Sequence, residues 1–283
     1  MSGINRIHLL CIDPQVDFCE PQGALYVQSP DDGTNAVDDM NRLATFIRRV
    51  GNRLADIHVT LDSHHYADIA HPSLWKNAKG DNPPPFTMIT SKDIEAGVWV
   101  AAKTSLRKRF QEYVKALEKN GKFVLVIWPP HCLIGTPGHN VTTPVREALA
   151  DYCRDNLARQ VNYVTKGSNP FTEHYSVFRA EVPDPTDPST GLNTELVNIL
   201  QNGADQILVA GEAQSHCVAS SIRDLANEFG DDKYLAKITL LTDCMSNVGN
   251  PPGTKMFTDQ GNSFIKEMVA RGMKVAKSTD VLV

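Results

Sequence analysis

Cysteine 217 sits where an apolar run, 206–210, passes through Gly211-Glu-Ala-Gln-Ser-His and enters an amphipathic stretch. A thiol at such a strand-to-helix turn meets free backbone N–H groups and the positive end of a helix dipole, both of which favour the thiolate. Two other strand ends supply what a nucleophile needs. Asp13 closes the run 7–12 and can take the thiol proton and return it to a leaving group, and Lys166 closes 162–165 and can lower the thiol pKa further. Backbone N–H groups in the turn from Ala213 to Cys217 are placed to hold an oxyanion, as acyl transfer requires. A lone buried cysteine is more often a packing residue; here Asp13 and Lys166 turn the reading toward catalysis.

A second group gathers around Asp62-Ser-His64, with His65 and His71 close behind and His131 after another apolar run. One carboxylate and two imidazoles suit a divalent transition metal that keeps an open coordination position; zinc is the first choice, with iron and manganese as alternatives. His71 is the candidate fourth ligand. Ser215, Ser220 and Ser221 lack a G-x-S-x-G elbow, which argues against a serine hydrolase. Arg107-Lys-Arg109, Lys115, Glu118 and Lys119 read as the solvated face of a helix, and nothing in the spacing of His139 or His174 argues for substrate contact.

These residues need a scaffold that brings strand ends together. Short β-branched runs alternate with amphipathic stretches along most of the chain, which predicts an α/β fold: a doubly wound, mostly parallel sheet with helices on both faces, Rossmann-like and three-layered. Strands are expected at 7–12, 57–61, 123–127, 162–165, 206–210 and 238–242, and helices at 36–49, 106–119, 144–158, 194–201, 216–228 and 256–271. Gly51, Gly121, Gly203 and Gly230 stand where left-handed caps are wanted. Irregular, proline-bearing excursions at about 72–104 and 167–191 are read as lids or loop elaborations on a single domain, 1–283. In an open parallel sheet, ligands bind beyond the carboxyl ends of the strands, where the candidate residues fall.

Composition narrows the function class. The chain is 41% hydrophobic and 22% charged, with 28 basic against 33 acidic side chains. The resulting charge of -5 gives no footprint for nucleic acid or an anionic membrane, so the expected partner is a small molecule; homo-oligomerisation stays open. No secretory signal and no membrane-spanning run is read, and the six scattered cysteines are expected to be thiols in the cytoplasm.

Four stretches resemble the isochorismatase-like cysteine hydrolases, and within them the nicotinamidases. Cys11-Ile-Asp13-Pro-Gln-Val-Asp17-Phe18-Cys19 is similar to that family's first-strand motif, and Asp62-Ser-His64 to its metal-binding D-x-H. Trp128-Pro-Pro-His131-Cys-Leu-Ile-Gly-Thr-Pro-Gly138 resembles the nicotinamidase W-P-x-H-C-x-x-G-T-P-G segment, and Ser215-His216-Cys217-Val218 the nucleophile motif. The resemblance implies an Asp13, Lys166, Cys217 triad, metal ligands Asp62, His64 and His131, and a ring pocket formed by Phe18 and Trp128. It also implies a cis bond from Glu212 to Ala213. The expected activity is hydrolysis of nicotinamide or a similar heteroaromatic carboxamide to the acid and ammonia, in salvage of the pyridine ring toward NAD. The reaction would pass through a thioester on Cys217, with the oxyanion on the Ala213 and Cys217 N–H groups.

Three alternatives remain: a different small amide, carbamoyl or ureido substrate; a non-catalytic binder of a pyridine metabolite; and a hydrolase using metal-bound water with a structural Cys217. The helix at 106–119 and the run 123–127 precede His131 where a compact nicotinamidase is expected to have a short loop.

Overall fold

Six consecutive buried residues, Ile7–Ile12, make β1, and burial on both faces is what a central strand of a parallel sheet requires. The computed structural model describes residues 5–119 and 124–282. After β1 come α1 (Ala36–Val50), β2 (Leu54–Asp62), α2 (Arg107–Lys119), α3 (Thr143–Asp155) and β3 (Val161–Lys166). The second half holds α4 (Thr194–Asn198), β4 (Gln206–Gly211), α5 (Ala219–Phe229), β5 (Ile238–Leu241), α6 (Met256–Ala270) and β6 (Lys274–Ala276). The sheet order is β6-β5-β4-β1-β2-β3, and every pairing in it is parallel. The chain winds outward from β1 in both directions, so right-handed crossovers put helices on opposite faces of the two halves. The α/β, doubly wound expectation holds, with α1 packed on α3 and α5 touching both α4 and α6.

One expected sheet strand is misplaced. The run 123–127 yields only Leu125–Val126, which pairs antiparallel with Met88–Ile89 in a two-stranded unit apart from the main sheet; Phe123 lies outside the described residues. The sixth sheet strand is instead β6, a short edge strand with two of its three residues exposed, whose weak apolar pattern hid it. Of the glycine caps, Gly230 is left-handed at φ 69°, whereas Gly51 is right-handed and Gly203 closes a π turn, Ile199–Gly203; Gly121 lies outside the described residues. Arg109 also departs from the solvated-face reading, since it pairs with Asp184 and lies over the Phe171 ring at 4.3 Å.

A buried histidine pair ties β1 to β2. Asn162 Nδ2 lies 3.0 Å from His58 Nδ1, His58 Nε2 is 3.0 Å from His8 Nδ1, and His8 Nε2 is 3.3 Å from Asp56 Oδ2. With the amide donating to His58, the chain of protons runs outward to Asp56 and both rings are neutral. Burial pushes the His58 pKa down to about 4, and repulsion from His8, should both rings protonate, lowers it further. Because the folded pKa lies below the unfolded one, stability is complete above about pH 6.5 and is lost as pH falls toward 4, by roughly 2–3 kcal/mol. His58→Gln, which hydrogen-bonds without titrating, is expected to flatten that segment of the melting-temperature curve; a variant curve parallel to the wild type would refute the assignment.

Candidate active site

Register places the first two polar groups. Asp62 and Lys166 are direct neighbours at the carboxyl ends of β2 and β3, and Asp13 follows β1 with a left-handed backbone, φ 43°. Lys166 Nζ lies 3.0 Å from Asp13 Oδ2, 3.1 Å from Asp62 Oδ1 and 3.6 Å from Cys217 Sγ, and it donates to the His174 carbonyl at 2.9 Å. All four side chains are buried. Gly167, at φ 84°, permits this approach, because a Cβ there would come within 2.7 Å of Asp62 Oδ1.

Electrostatics settles the charge states. Burial alone would lower the Lys166 pKa, but Asp13, Asp62 and Cys217 outweigh it and keep the ammonium charged. Burial raises the Asp13 carboxyl, and Lys166 only partly offsets that. The same holds for the nucleophile: burial drives the Cys217 thiol well above its ordinary value, against the pull of Lys166. The expectation of a favoured thiolate is therefore corrected to a resting thiol, because desolvation of the sulfur outweighs one cation shared by two carboxylates. Cys217 also lies one step earlier than expected, in a π turn, Gln214–Val218, that precedes α5. That turn gives the His216 and Val218 N–H groups to the Ala213 carbonyl, at 3.0 and 3.1 Å. The Glu212–Ala213 peptide is cis, as the resemblance implied.

Facing the thiol, Asp62 Oδ2 lies 3.1 Å from His64 Nε2 and 3.7 Å from His131 Nε2, and the three ligand atoms fall within 4.8 Å of one another. Burial disfavours charge on His64, yet Asp62 and Asp68 outweigh it and hold the imidazole well above its ordinary pKa. Asp68, four residues after His64, contacts its Nδ1 at 3.0 Å, and the Pro129 carbonyl lies 2.8 Å from His131 Nδ1. Both rings thus present Nε2 inward, the arrangement of a histidine ligand oriented from behind. His71 is buried, its ring centroid 5.2 Å from that of His64, and its Nε2 has no hydrogen-bond partner among the described residues. It lies outside the compact three-atom group but borders it. The donor set, with its convergent Nε2 atoms, fits a divalent transition cation. His65 is exposed and takes no part, which corrects its inclusion in the cluster.

Phe18 and Trp128 line one cleft together with Asp62, His131, Ala213 and Cys217. Its lining is mostly apolar with a few polar groups converging on it, the makeup of a small-ligand site. Trp128 Nε1 donates to Tyr175 Oη at 3.0 Å, and its ring meets His216 edge-on at 5.4 Å. The excursion after Lys166 is therefore a wall of the pocket, since residues 172–178 are buried and Glu173 and Tyr175 line it.

Several supporting residues escaped the sequence reading. Gln15 exchanges both amide bonds with the Asp62 backbone, each at 2.7 Å, and Thr60 accepts the Asp13 N–H at 2.9 Å. Asp17 accepts the N–H groups of Ala24 at 3.0 Å and Cys132 at 2.7 Å, which fixes the turn after His131. Gln15 and Asp17 both belong to the quoted first-strand motif, and that was the available signal. Gly138 is packed onto Asp17 so closely that a Cβ would reach 2.2 Å from its Oδ2. Asp17→Ala is expected to weaken divalent metal retention roughly 10- to 100-fold, measured by competition with a chromophoric chelator; unchanged affinity would show that the turn holds without it.

No protein-family model matches the chain, and no curated protein sequence matches it. Solved structures do. An Acinetobacter baumanii nicotinamidase/pyrazinamidase is similar over 100% of both chains at 18% identity, with a TM-score of 0.60. The yeast nicotinamidase bound to the inhibitor nicotinaldehyde matches 96% of this chain and 99% of its own, at 18% identity and a TM-score of 0.60. The chain has the nicotinamidase fold. A Pyrococcus horikoshii pyrazinamidase in complex with zinc also shares it, at 20% identity over 96% of this chain and 99% of that one, with a TM-score of 0.53.

Proposed function

We propose that this protein is a metal-containing cysteine amidohydrolase that converts nicotinamide, or a similar heteroaromatic carboxamide, to the carboxylic acid and ammonia. The observation that carries the reading is the buried contact chain Asp13, Lys166, Cys217, which reaches through Cys217 the cleft that Asp62 and His131 also line, with His64 beside those two. A zinc-bound pyrazinamidase and a nicotinaldehyde-bound nicotinamidase of the same fold support the choice of metal and ring.

Asp13 takes the proton of Cys217 as the sulfur attacks the carboxamide carbon, so no free thiolate has to accumulate. Lys166 remains protonated between them and offsets the charge that grows on sulfur. The carbonyl oxygen becomes an oxyanion held by the Ala213 and Cys217 N–H groups. The C–N bond breaks, the amine takes the proton from Asp13, and ammonia leaves. Water then gives a proton to Asp13 and adds to the thioester; the C–S bond breaks, and the sulfur recovers that proton. Phe18 and Trp128 hold the ring between apolar surfaces. When bound by Asp62, His64 and His131, with His71 adjacent, the metal supplies Lewis acidity toward a ring nitrogen.

The test is ammonia release by purified protein with its metal quantified, using nicotinamide, pyrazinamide, benzamide and an aliphatic amide. Turnover of the two nitrogen heterocycles well above benzamide supports the assignment. Activity confined to aliphatic or carbamoyl substrates transfers the same machinery to the alternative substrate class, and pyridine binding without turnover makes the protein a binder. We also propose a cytoplasmic setting for a chain working as one domain. Its cysteines are free thiols, and among the described residues no helix is long and apolar enough to cross a membrane.

A further inference from the structure

Behind the pocket wall lies a polar cluster that this chemistry does not use. Asp39 of α1 and Glu212, just after β4, are 1% and 0% exposed. Both meet one residue: Ser246 gives its N–H to Glu212 Oε2 at 3.1 Å and its hydroxyl to Asp39 Oδ2. The Ser246 carbonyl accepts the Gln214 N–H at 2.8 Å, and the Val248 N–H donates to Ser215 Oγ at 3.2 Å. The segment after β5 is thereby stitched to the turn that begins with Ala213, and Val248 carries it into the cleft. Arg42 of α1 donates to Asp39 Oδ1 at 2.8 Å, while the titratable neighbours from the other packed segments are the Tyr26 phenol and two thiols, Cys19 and Cys244. One half-exposed arginine does not compensate two buried carboxylates, and carboxyls crowded into a dry site share a proton.

We propose that Asp39 and Glu212 share one proton and, through Ser246, clamp the turn that presents the Ala213 N–H, so that the oxyanion site holds its shape until loss of that proton places a second charge on the pair. The kinetic part rests on the function proposed above; the shared proton does not. Burial drives the Glu212 carboxyl well above its ordinary value, with Asp39 adding to it, and burial also raises Asp39 against its bonds to Ser246, Glu212 and Arg42. Both directions favour one proton held in common by the pair. A carboxyl whose folded pKa is raised binds more protons folded than unfolded, so stability falls as pH climbs from about 4.5 toward the folded value.

The experiment compares the full-length wild type with Glu212→Gln, Glu212→Leu and Ser246→Ala. Melting temperatures are taken from pH 6 to 10, and kcat and KM for ammonia release from nicotinamide over the same range. Glu212→Gln keeps a neutral hydrogen-bonding group beside Asp39. It is expected to remove about one proton from the pH dependence of stability, to hold kcat within about twofold at pH 7, and to sustain it further into alkali. Glu212→Leu is expected to lower kcat roughly 10- to 100-fold with KM changed less than about threefold; if it does not fold, Ser246→Ala, which loses only the Asp39 bond, is expected to show a smaller loss of the same kind. A Glu212→Gln melting curve parallel to the wild type overturns the shared proton, and wild-type kcat in both Glu212→Leu and Ser246→Ala overturns the clamp. A wild type that releases no ammonia defeats the proposed function instead, and the melting curves still decide the pair.

Discussion

Replacing Cys217 by alanine is expected to lower ammonia release by about 10⁴-fold or more, because no other group is placed to form the acyl bond. The fold has little reason to change. Cys217 is buried against the turn it belongs to, and deletion of one sulfur costs on the order of 1 kcal/mol. The decisive arms are metal content, which is expected to remain, and mass spectrometry of the wild type quenched during turnover, which is expected to show an acyl adduct on Cys217. An alanine variant that still hydrolyses the amide and dies only on chelation would move the chemistry to a metal-bound water and leave the thiol structural.

Lys166→Met is expected to damage stability and turnover together. The ammonium stands between Asp13 at 3.0 Å and Asp62 at 3.1 Å, and its removal leaves two buried carboxylates without their cation. Losing one member of a buried ion pair costs about 3–5 kcal/mol, which for a chain of this length lowers the melting temperature by on the order of 10 °C. Activity is expected to drop roughly 10³-fold or more, since Asp13 then holds its proton too firmly and nothing offsets the charge on sulfur. Differential scanning fluorimetry beside the ammonia assay checks both. A variant as stable as the wild type would mean that the two carboxylates are not ionised together, and the charge assignment of the site would have to be redrawn.

Much of this was legible in the residues, for physical reasons. β1 was found to the residue because a run apolar but for His8, bounded by Arg6 and Asp13, admits one reading, and Asp13, Asp62, Lys166 and Cys217 were picked out as lying at or just beyond strand ends. The run 123–127 failed because a local apolar signature does not say which strand it will pair with; Leu125 and Val126 found Met88 and Ile89 instead of the main sheet. Its failure did not displace His131, since that histidine is carried by a loop fixed by Asp17 and by the bond from the His64 N–H to the Cys132 carbonyl at 3.0 Å. The protonation of Cys217 was misjudged because helix position and a nearby lysine are visible in sequence, whereas depth of burial is not. Asp39, Glu212 and Ser246 could not be connected at all, because the bonds that join them span more than thirty residues in one case and more than two hundred in the other.

The strand order β6-β5-β4-β1-β2-β3 has a consequence for biogenesis. β1 is made before the other strands of this sheet, yet one of its edges stays open until β4, some two hundred residues later, arrives to pair Ile7 with Gln206 and Cys11 with Ala210. Until then the nascent chain presents a flat apolar edge, the kind of surface that recruits other strands, and the pairing that closes it is the slow, long-range sort. Chains stalled or cleaved before residue 206 are therefore expected to aggregate, or to be held by chaperones, with most of the residues that line the pocket already present and no nucleophile among them.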